Sequence, residues 1–159
     1  MKEAVIKKAI AMRSRAHAPF SNYRVGVAVE TQSGEIIGGC NVESSSYGLT
    51  CCAERVALFR AVAEGHTSFR SMAIATHNSG MPCGACRQVI WELCSDIPIH
   101  ICNEQGCVKT ISSKELLPDA FDKSKLLSIL FSLALPGAPG PEKHPWQRES
   151  LLIMAQGKL

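Results

Sequence analysis

Three cysteines, split between two short motifs, have to meet at one point, and nothing else in the chain restricts its fold so tightly. Cys52-Ala53-Glu54 carries the first, and Pro82-Cys83-Gly84-Ala85-Cys86, beginning its cysteines 31 residues after Cys52, carries the other two. Three thiolates fill three corners of a zinc tetrahedron and leave the fourth open. A metal with an open corner can hold water, the layout of a catalytic rather than a structural ion. Glu54 stands two residues after a ligand, where it can handle protons without itself binding metal.

Both motifs fall at predicted helix starts. Backbone N–H groups are unpaired there, and the helix dipole adds partial positive charge. Both effects favour thiolate over thiol, the form that binds zinc. Three thiolates on one dication still leave excess negative charge, which would hinder ionisation of a bound water. Arg55, three residues after the ligand Cys52, is the candidate donor to a thiolate sulfur that offsets this. A bare Cys-x-x-Cys also marks zinc ribbons and thiol redox sites. A structural zinc would need a fourth ligand, for which Cys51 and Cys94 are the candidates. Adjacent helical residues point about 100° apart, so Cys51 and Cys52 on one ion would be awkward. Without the cysteines, Glu54 would read as an ordinary glutamate in a first helical turn.

Around these motifs the pattern alternates between helix and strand. Val5, Ile6, Ala9, Ile10 and Met12 recur at helical spacing and predict a helix over residues 2–15. Val25, Val27 and Val29 alternate with small residues as a strand, Ser33-Gly34 turns the chain, and residues 35–40 return. Further helices are predicted over 51–64, ended by Gly65, and over 84–94. Strands are predicted over 70–77, 97–101 and 107–111, and Ser112 or Ser113 caps a short helix at 115–117. The expected fold is α/β, a three-layer α/β/α sandwich around a mixed central sheet of about five strands. Residues 1–125 form the expected catalytic domain. Residues 126–159 read as a C-terminal extension, broken by Pro136-Gly137-Ala138-Pro139-Gly140-Pro141. The apolar stretch Leu126 to Phe131 is either extra core or extra interface.

Bulk properties narrow the partners. The net charge of +3 lacks the basic footprint of a nucleic-acid binder, so no nucleic-acid partner is expected. The longest apolar run, Leu126 to Leu135, is about half a membrane span, and no membrane association is expected. The N-terminal residues lack the apolar run of a signal peptide. Eight cysteines in that context point to a reducing cytoplasm, where clustered thiols bind metal or catalyse. Cys40, Cys51, Cys94, Cys102 and Cys107 then read as small buried hydrophobes.

The combined motifs resemble a known family. Asn41-Val42-Glu43, Ser46-Tyr47-Gly48-Leu49-Thr50, Cys52-Ala53-Glu54-Arg55 and Pro82-Cys83-Gly84-Ala85-Cys86-Arg87-Gln88 are similar to segments of the small, homotetrameric cytidine deaminases. Pro19-Phe20-Ser21-Asn22-Tyr23 and Glu115-Leu116-Leu117-Pro118 before Phe121 extend the likeness over residues 3–125. The resemblance implies one zinc per subunit on Cys52, Cys83 and Cys86, with Glu54 as proton shuttle. It implies that Asn41 and Glu43 hold the ribose hydroxyls, that Phe20 stacks on the base and that the Ala53 backbone contacts the base's polar edge. Phe121 and Tyr47 would reach into a neighbouring subunit's pocket, so that sites are shared within a homotetramer. Arg87 and Gln88 are expected to brace a helix start rather than touch substrate. Ser44 and Ser45 stand where the family usually has Asn-Ala.

The implied activity is hydrolytic deamination of a small-molecule nucleoside, cytidine or deoxycytidine, to the uridine with release of ammonia. The alternatives are a deaminase of another aminopyrimidine nucleoside, such as blasticidin S or a modified cytidine, and a non-catalytic zinc-stabilised module that binds nucleosides. A nucleic-acid editor is disfavoured by the mild charge.

Overall fold

A strand whose side chains alternate between small and branched can carry helices on both faces, and Gly26-Val27-Ala28-Val29 is such a strand. The computed structural model describes residues 2–126 and shows this arrangement. The elements run α1 (Lys2–Arg13), β1 (Gly26–Thr31), β2 (Ile36–Cys40), a 3-10 turn (Tyr47–Leu49), α2 (Ala53–Ala63), β3 (Phe69–Ala75), α3 (Gly84–Cys94), β4 (Pro98–Asn103), β5 (Gly106–Ser112) and α4 (Ser113–Leu116). The five strands form one mixed sheet in the order β2-β1-β3-β4-β5. β3 and β4 run parallel, joined through α3, and the other neighbours are antiparallel. The sequence-based expectation of a helix-covered mixed sheet of five strands is borne out.

Parity along the strands sorts the core into two layers. Val27, Val29, Met72, Ile74, Ile99 and Ile101 face α2 and α3, where Ala57, Leu58, Ala61 and Ile90 meet them. Ala28, Ala73, Ala75 and Cys102 face α1, where Val5, Ile6 and Ala9 close the other side. Every β1 residue is buried. The alternation visible in β1 is therefore one of size, not polarity. Small residues let α1 approach closely: a Cβ on Gly26 would stand 2.2 Å from both the Ala9 carbonyl oxygen and the Arg13 amide nitrogen. On the opposite face, a Cβ on Gly39 would stand 2.4 Å from the Ala57 amide nitrogen of α2.

Strand register also fixes where a site can lie. Gly26 pairs with Cys40 at the end of β2 and with Ala75 at the end of β3. Both strands thus finish at the same rim of the sheet, and the segments that follow them lead into α2 and α3. Ligand sites of open α/β sheets lie outside the carboxyl ends of strands, which is this rim.

Element ends differ slightly from expectation, for local reasons. α1 stops at Arg13, not at residue 15, because the Arg15 and Ala16 amides turn back to Met12 and Arg13. α2 begins at Ala53 because Cys51 is held extended by two backbone hydrogen bonds to Val42. Its C-terminus has the expected glycine, Gly65 at φ 92°, with Gly65 donating to Val62 and His66 to Ala61. Ser112 is the cap of α4, and Glu115 closes a capping box with it. Residues through Phe121 form one compact unit, and Asp122 begins a second. The extension anticipated from 126 on lies outside the described residues apart from Leu126, which is exposed. No described helix is long and apolar enough to cross a membrane.

Because the Gly26 contact is with α1 backbone, it cannot be relieved by moving a side chain. Gly26→Ala should cost about 1–3 kcal/mol through overpacking, read as a lower urea midpoint of the zinc-loaded protein. An unchanged midpoint would show that α1 does not rest on β1 this tightly.

Candidate metal centre and active site

Cys52 and Cys83 occupy equivalent positions, each the extended N-cap residue of its helix (ψ 150° and 166°). Neither side chain caps the backbone it precedes, which leaves both sulfurs free to turn toward a shared point. Cys86 sits one turn into α3 and is buried. The three sulfurs all lie within 4.8 Å of one another. Thiolates held by one zinc at about 2.3 Å would stand roughly 3.8 Å apart, so the set fits that ion. Among the described residues the group holds three ligands: neither Cys51 nor Cys94 joins it. Among the described residues none supplies a fourth ligand.

The electrostatics favour a thiolate at this point. Cys52 is lowered to about 5, first by the hydrogen bond from the Cys86 thiol and then by Arg55, against the cost of burial. Cys86 moves the opposite way: its hydrogen bond to the Cys52 sulfur holds its own proton in place, and burial adds to this. Arg55 Nη2 lies 4.0 Å from Cys52 Sγ and donates to the Thr50 carbonyl at 3.0 Å. Its Nε is buried without a hydrogen-bond partner among the described residues. The guanidinium is therefore committed to the sulfur side of the site, as its place in sequence suggested.

Glu54 is 5% exposed, in the first turn of α2. Burial raises its carboxyl above the ordinary carboxylate range, and the Cys52 charge adds to the rise, while its own backbone N–H and Cys86 pull the other way. A buried carboxyl beside the sulfur cluster, raised above the ordinary carboxylate range, suits proton transfer. Ala53 is fully buried at the first helical position, where its N–H has no intrahelical partner.

The remaining expected site residues assemble around Glu43 and Asn41. Glu43 accepts from the Phe20 and Ser21 amides (2.9 and 3.2 Å) and from the Ser21 hydroxyl. These bonds, led by that hydroxyl, hold its carboxylate below the ordinary range. Asn41 is 7% exposed, and its carboxamide joins two strands of loop: Oδ1 accepts from Val25 N–H and Nδ2 donates to the Tyr23 carbonyl. Two isolated bridges, His17 with Val42 and Val42 with Cys51, splice this loop to the segment carrying Cys52. The rings of Phe20 and Tyr47 meet edge-on at 6.3 Å, and both are exposed. Phe121 is anchored through its carbonyl by Gln88 Nε2 (2.7 Å), with its ring exposed. Arg87 links the Pro82 and Leu116 carbonyls, bracing the start of α3.

Tyr23, absent from the expected site residues, is built into this region. Its hydroxyl donates to Asn78 Oδ1 at 2.8 Å, and its ring lies edge-on to His77. Thr76 accepts from the Gly80 amide at 2.6 Å in the same loop, the loop that delivers Cys83. The partners are 55 residues apart, and no local pattern marks them. Cys107 is exposed, and Cys40 and Cys51 are half-buried, so the expectation that they are buried hydrophobes fails for these three and holds for Cys94 and Cys102. A second group of potential ligands, Glu35, Glu64 and His66, is balanced internally by His66–Glu35 (3.2 Å) and Arg60–Glu64 (2.7 Å) pairs.

Comparison with known proteins bears directly on this centre. Residues 1–101 match the family model of the cytidine and deoxycytidylate deaminase zinc-binding region. A cytidine deaminase of Halalkalibacterium halodurans is 45% identical over 123 residues, covering 76% of this chain and 93% of its own. The crystal structure of a cytidine deaminase from Burkholderia pseudomallei superposes with a TM-score of 0.73 at 46% identity, covering 76% of this chain and 99% of its own. A blasticidin-S deaminase of Bacillus cereus is more distant, 31% identical over 108 residues, covering 62% of this chain and 76% of its own. The three cysteines that the fold gathers at one rim of its sheet lie within the matched residues, and the chain belongs to the cytidine and deoxycytidylate deaminase family, carrying that family's zinc-binding region.

Proposed function

We propose that the chain catalyses hydrolytic deamination of cytidine and deoxycytidine to uridine and deoxyuridine, with release of ammonia. The observation that carries this reading is Glu54, buried beside the three-cysteine group with its carboxyl raised above the ordinary carboxylate range by that burial. A binding module has no need of such a group beside its metal. Zinc held by Cys52, Cys83 and Cys86 would supply Lewis-acid activation of water. The Glu54 carboxylate takes a proton from the attacking water as its oxygen bonds to C4 of the pyrimidine. Glu54 then delivers that proton to N3. It next carries the hydroxyl proton to the amino group, which departs as ammonia while the C4 carbonyl forms.

Substrate recognition follows from the surrounding groups. The lone remaining N–H of Asn41 and the Glu43 carboxylate suit a vicinal diol, which would reject a free base because polar groups would be left unpaired. Phe20 offers its exposed face to the base, and the free Ala53 N–H suits an acceptor on the base edge. Relatives called cytidine deaminase support this substrate over blasticidin S, whose deaminase is the more distant match.

The active assembly is proposed to be a homotetramer in the cytoplasm. Phe20, Tyr47, Leu49 and Val42 are exposed by 55%, 79%, 76% and 45%, and they come from neighbouring segments around the site. Monomers seldom leave such apolar surface bare. Tyr47 and Phe121 are the residues expected to cross into a neighbouring pocket. Metal-binding thiols favour a reducing compartment.

Loss of absorbance at the cytidine band, with ammonia released, tests the activity, and turnover should favour cytidine over cytosine and blasticidin S. Glu54→Gln should retain zinc and fold yet lose turnover by about 10²–10⁴-fold or more; near-normal turnover in that variant would refute the assignment. Light scattering should give the mass of four chains, and a stable active monomer would contradict the shared-site assembly.

A further inference from the structure

Outside the metal centre, two thiols face each other across the β4–β5 hairpin. Cys102 and Cys107 are register partners on adjacent antiparallel strands, so their side chains leave the same face of the sheet. Directly opposed residues have Cα atoms about 4.5–5.5 Å apart, whichever kind of pair they form. That lies within the span of about 4.4–6.8 Å that a disulfide bridges. Each thiol donates to a backbone carbonyl of its own strand, Cys102 to His100 and Cys107 to Lys109, both at 3.4 Å, and the neighbouring Cys107 adds to the rise of the Cys102 thiol. Cys102 is buried in the layer under α1, and Cys107 is exposed on the edge strand. One sulfur of the pair is thus open to a solvent-borne oxidant, and the other waits beneath it. The ligand cysteines of α2 and α3 lie on the opposite face of the sheet.

We propose that Cys102 and Cys107 are an oxidisable dithiol that closes a disulfide across the hairpin on exposure to a peroxide. The Cys107 sulfur attacks one peroxide oxygen, the O–O bond breaks, and Cys107 sulfenic acid and one water result. The Cys102 sulfur then attacks the Cys107 sulfur. The S–O bond breaks and the hydroxyl leaves as a second water with the Cys102 proton. Two electrons pass from the two thiols to the peroxide, and a small thiol reductant reverses the change. Burial pushes the Cys102 thiol up to about 12, so it enters only at the second step, as the resolving group. The bond ties the sheet's exposed edge strand to its buried neighbour.

The test uses the full-length, zinc-loaded protein, exposed to a modest excess of hydrogen peroxide, alkylated, denatured and cleaved after Glu104, which separates the two cysteines. The peptides bearing Cys102 and Cys107 should appear as one linked species, about 2 Da below their summed mass, for the two hydrogens lost. Dithiothreitol should part them, and Cys102→Ser or Cys107→Ser should abolish the species. Zinc content and cytidine turnover should be unchanged, so failure of the link is read independently of the activity. Cys107 driven to its sulfinic acid without linkage, Cys107 linked to another cysteine, or a link seen only after zinc is lost would each overturn the proposal.

Discussion

The centre depends on two helices beginning at one point. Cys52 and Cys83 are N-caps of α2 and α3, and each is delivered by a segment that follows a strand ending at the same rim. The register that pairs Gly26 with both Cys40 and Ala75 is what aligns those strand ends. That register in turn needs both faces of β1 to be tightly covered, since a slip of one residue would turn its valines toward α1 and its small residues toward α2. Packing of small residues against helix backbone thus reaches through the sheet to the sulfur atoms.

Charge is balanced at the same point by groups that the fold supplies with little choice. Arg55 lies one turn after Cys52 and reaches its sulfur, while Glu54, between them, is driven into the buried side. A helix start gives both residues their direction. The cation offsets the thiolates, and burial raises the carboxyl above the ordinary carboxylate range. Asn41 and Glu43 are set by a different device, short β-bridges that splice the loops around residues 17, 42 and 51. Their side chains hold loop backbone, Asn41 at Val25 and Tyr23 and Glu43 at Phe20 and Ser21.

Much of this was legible in the chain itself. The spacing of Cys52, Glu54, Cys83 and Cys86 carries the metal centre because a metal's ligand count is a strong constraint on few residues. Helical periodicity and the Gly65 and Ser112 signals placed the elements to within a few residues. What was hidden is long-range or depends on exposure. The Tyr23–Asn78 bond spans 55 residues and has no local pattern. The Tyr47–Leu49 turn is too short to show a period. Cys107 reads as core in the sequence, but it stands on an edge strand exposed at every residue from Cys107 to Thr110. Asn41 could be read as a recognition residue, whereas its burial and its two bonds to loop backbone appear only in three dimensions.

The central claim is a metal with three sulfur ligands and one position kept from protein. X-ray absorption at the zinc edge of the purified chain tests it most directly. The account predicts three sulfur scatterers at about 2.3 Å and one light atom near 2.0 Å. Four sulfurs in the shell, or a chain that folds and turns over substrate with no zinc, would contradict it.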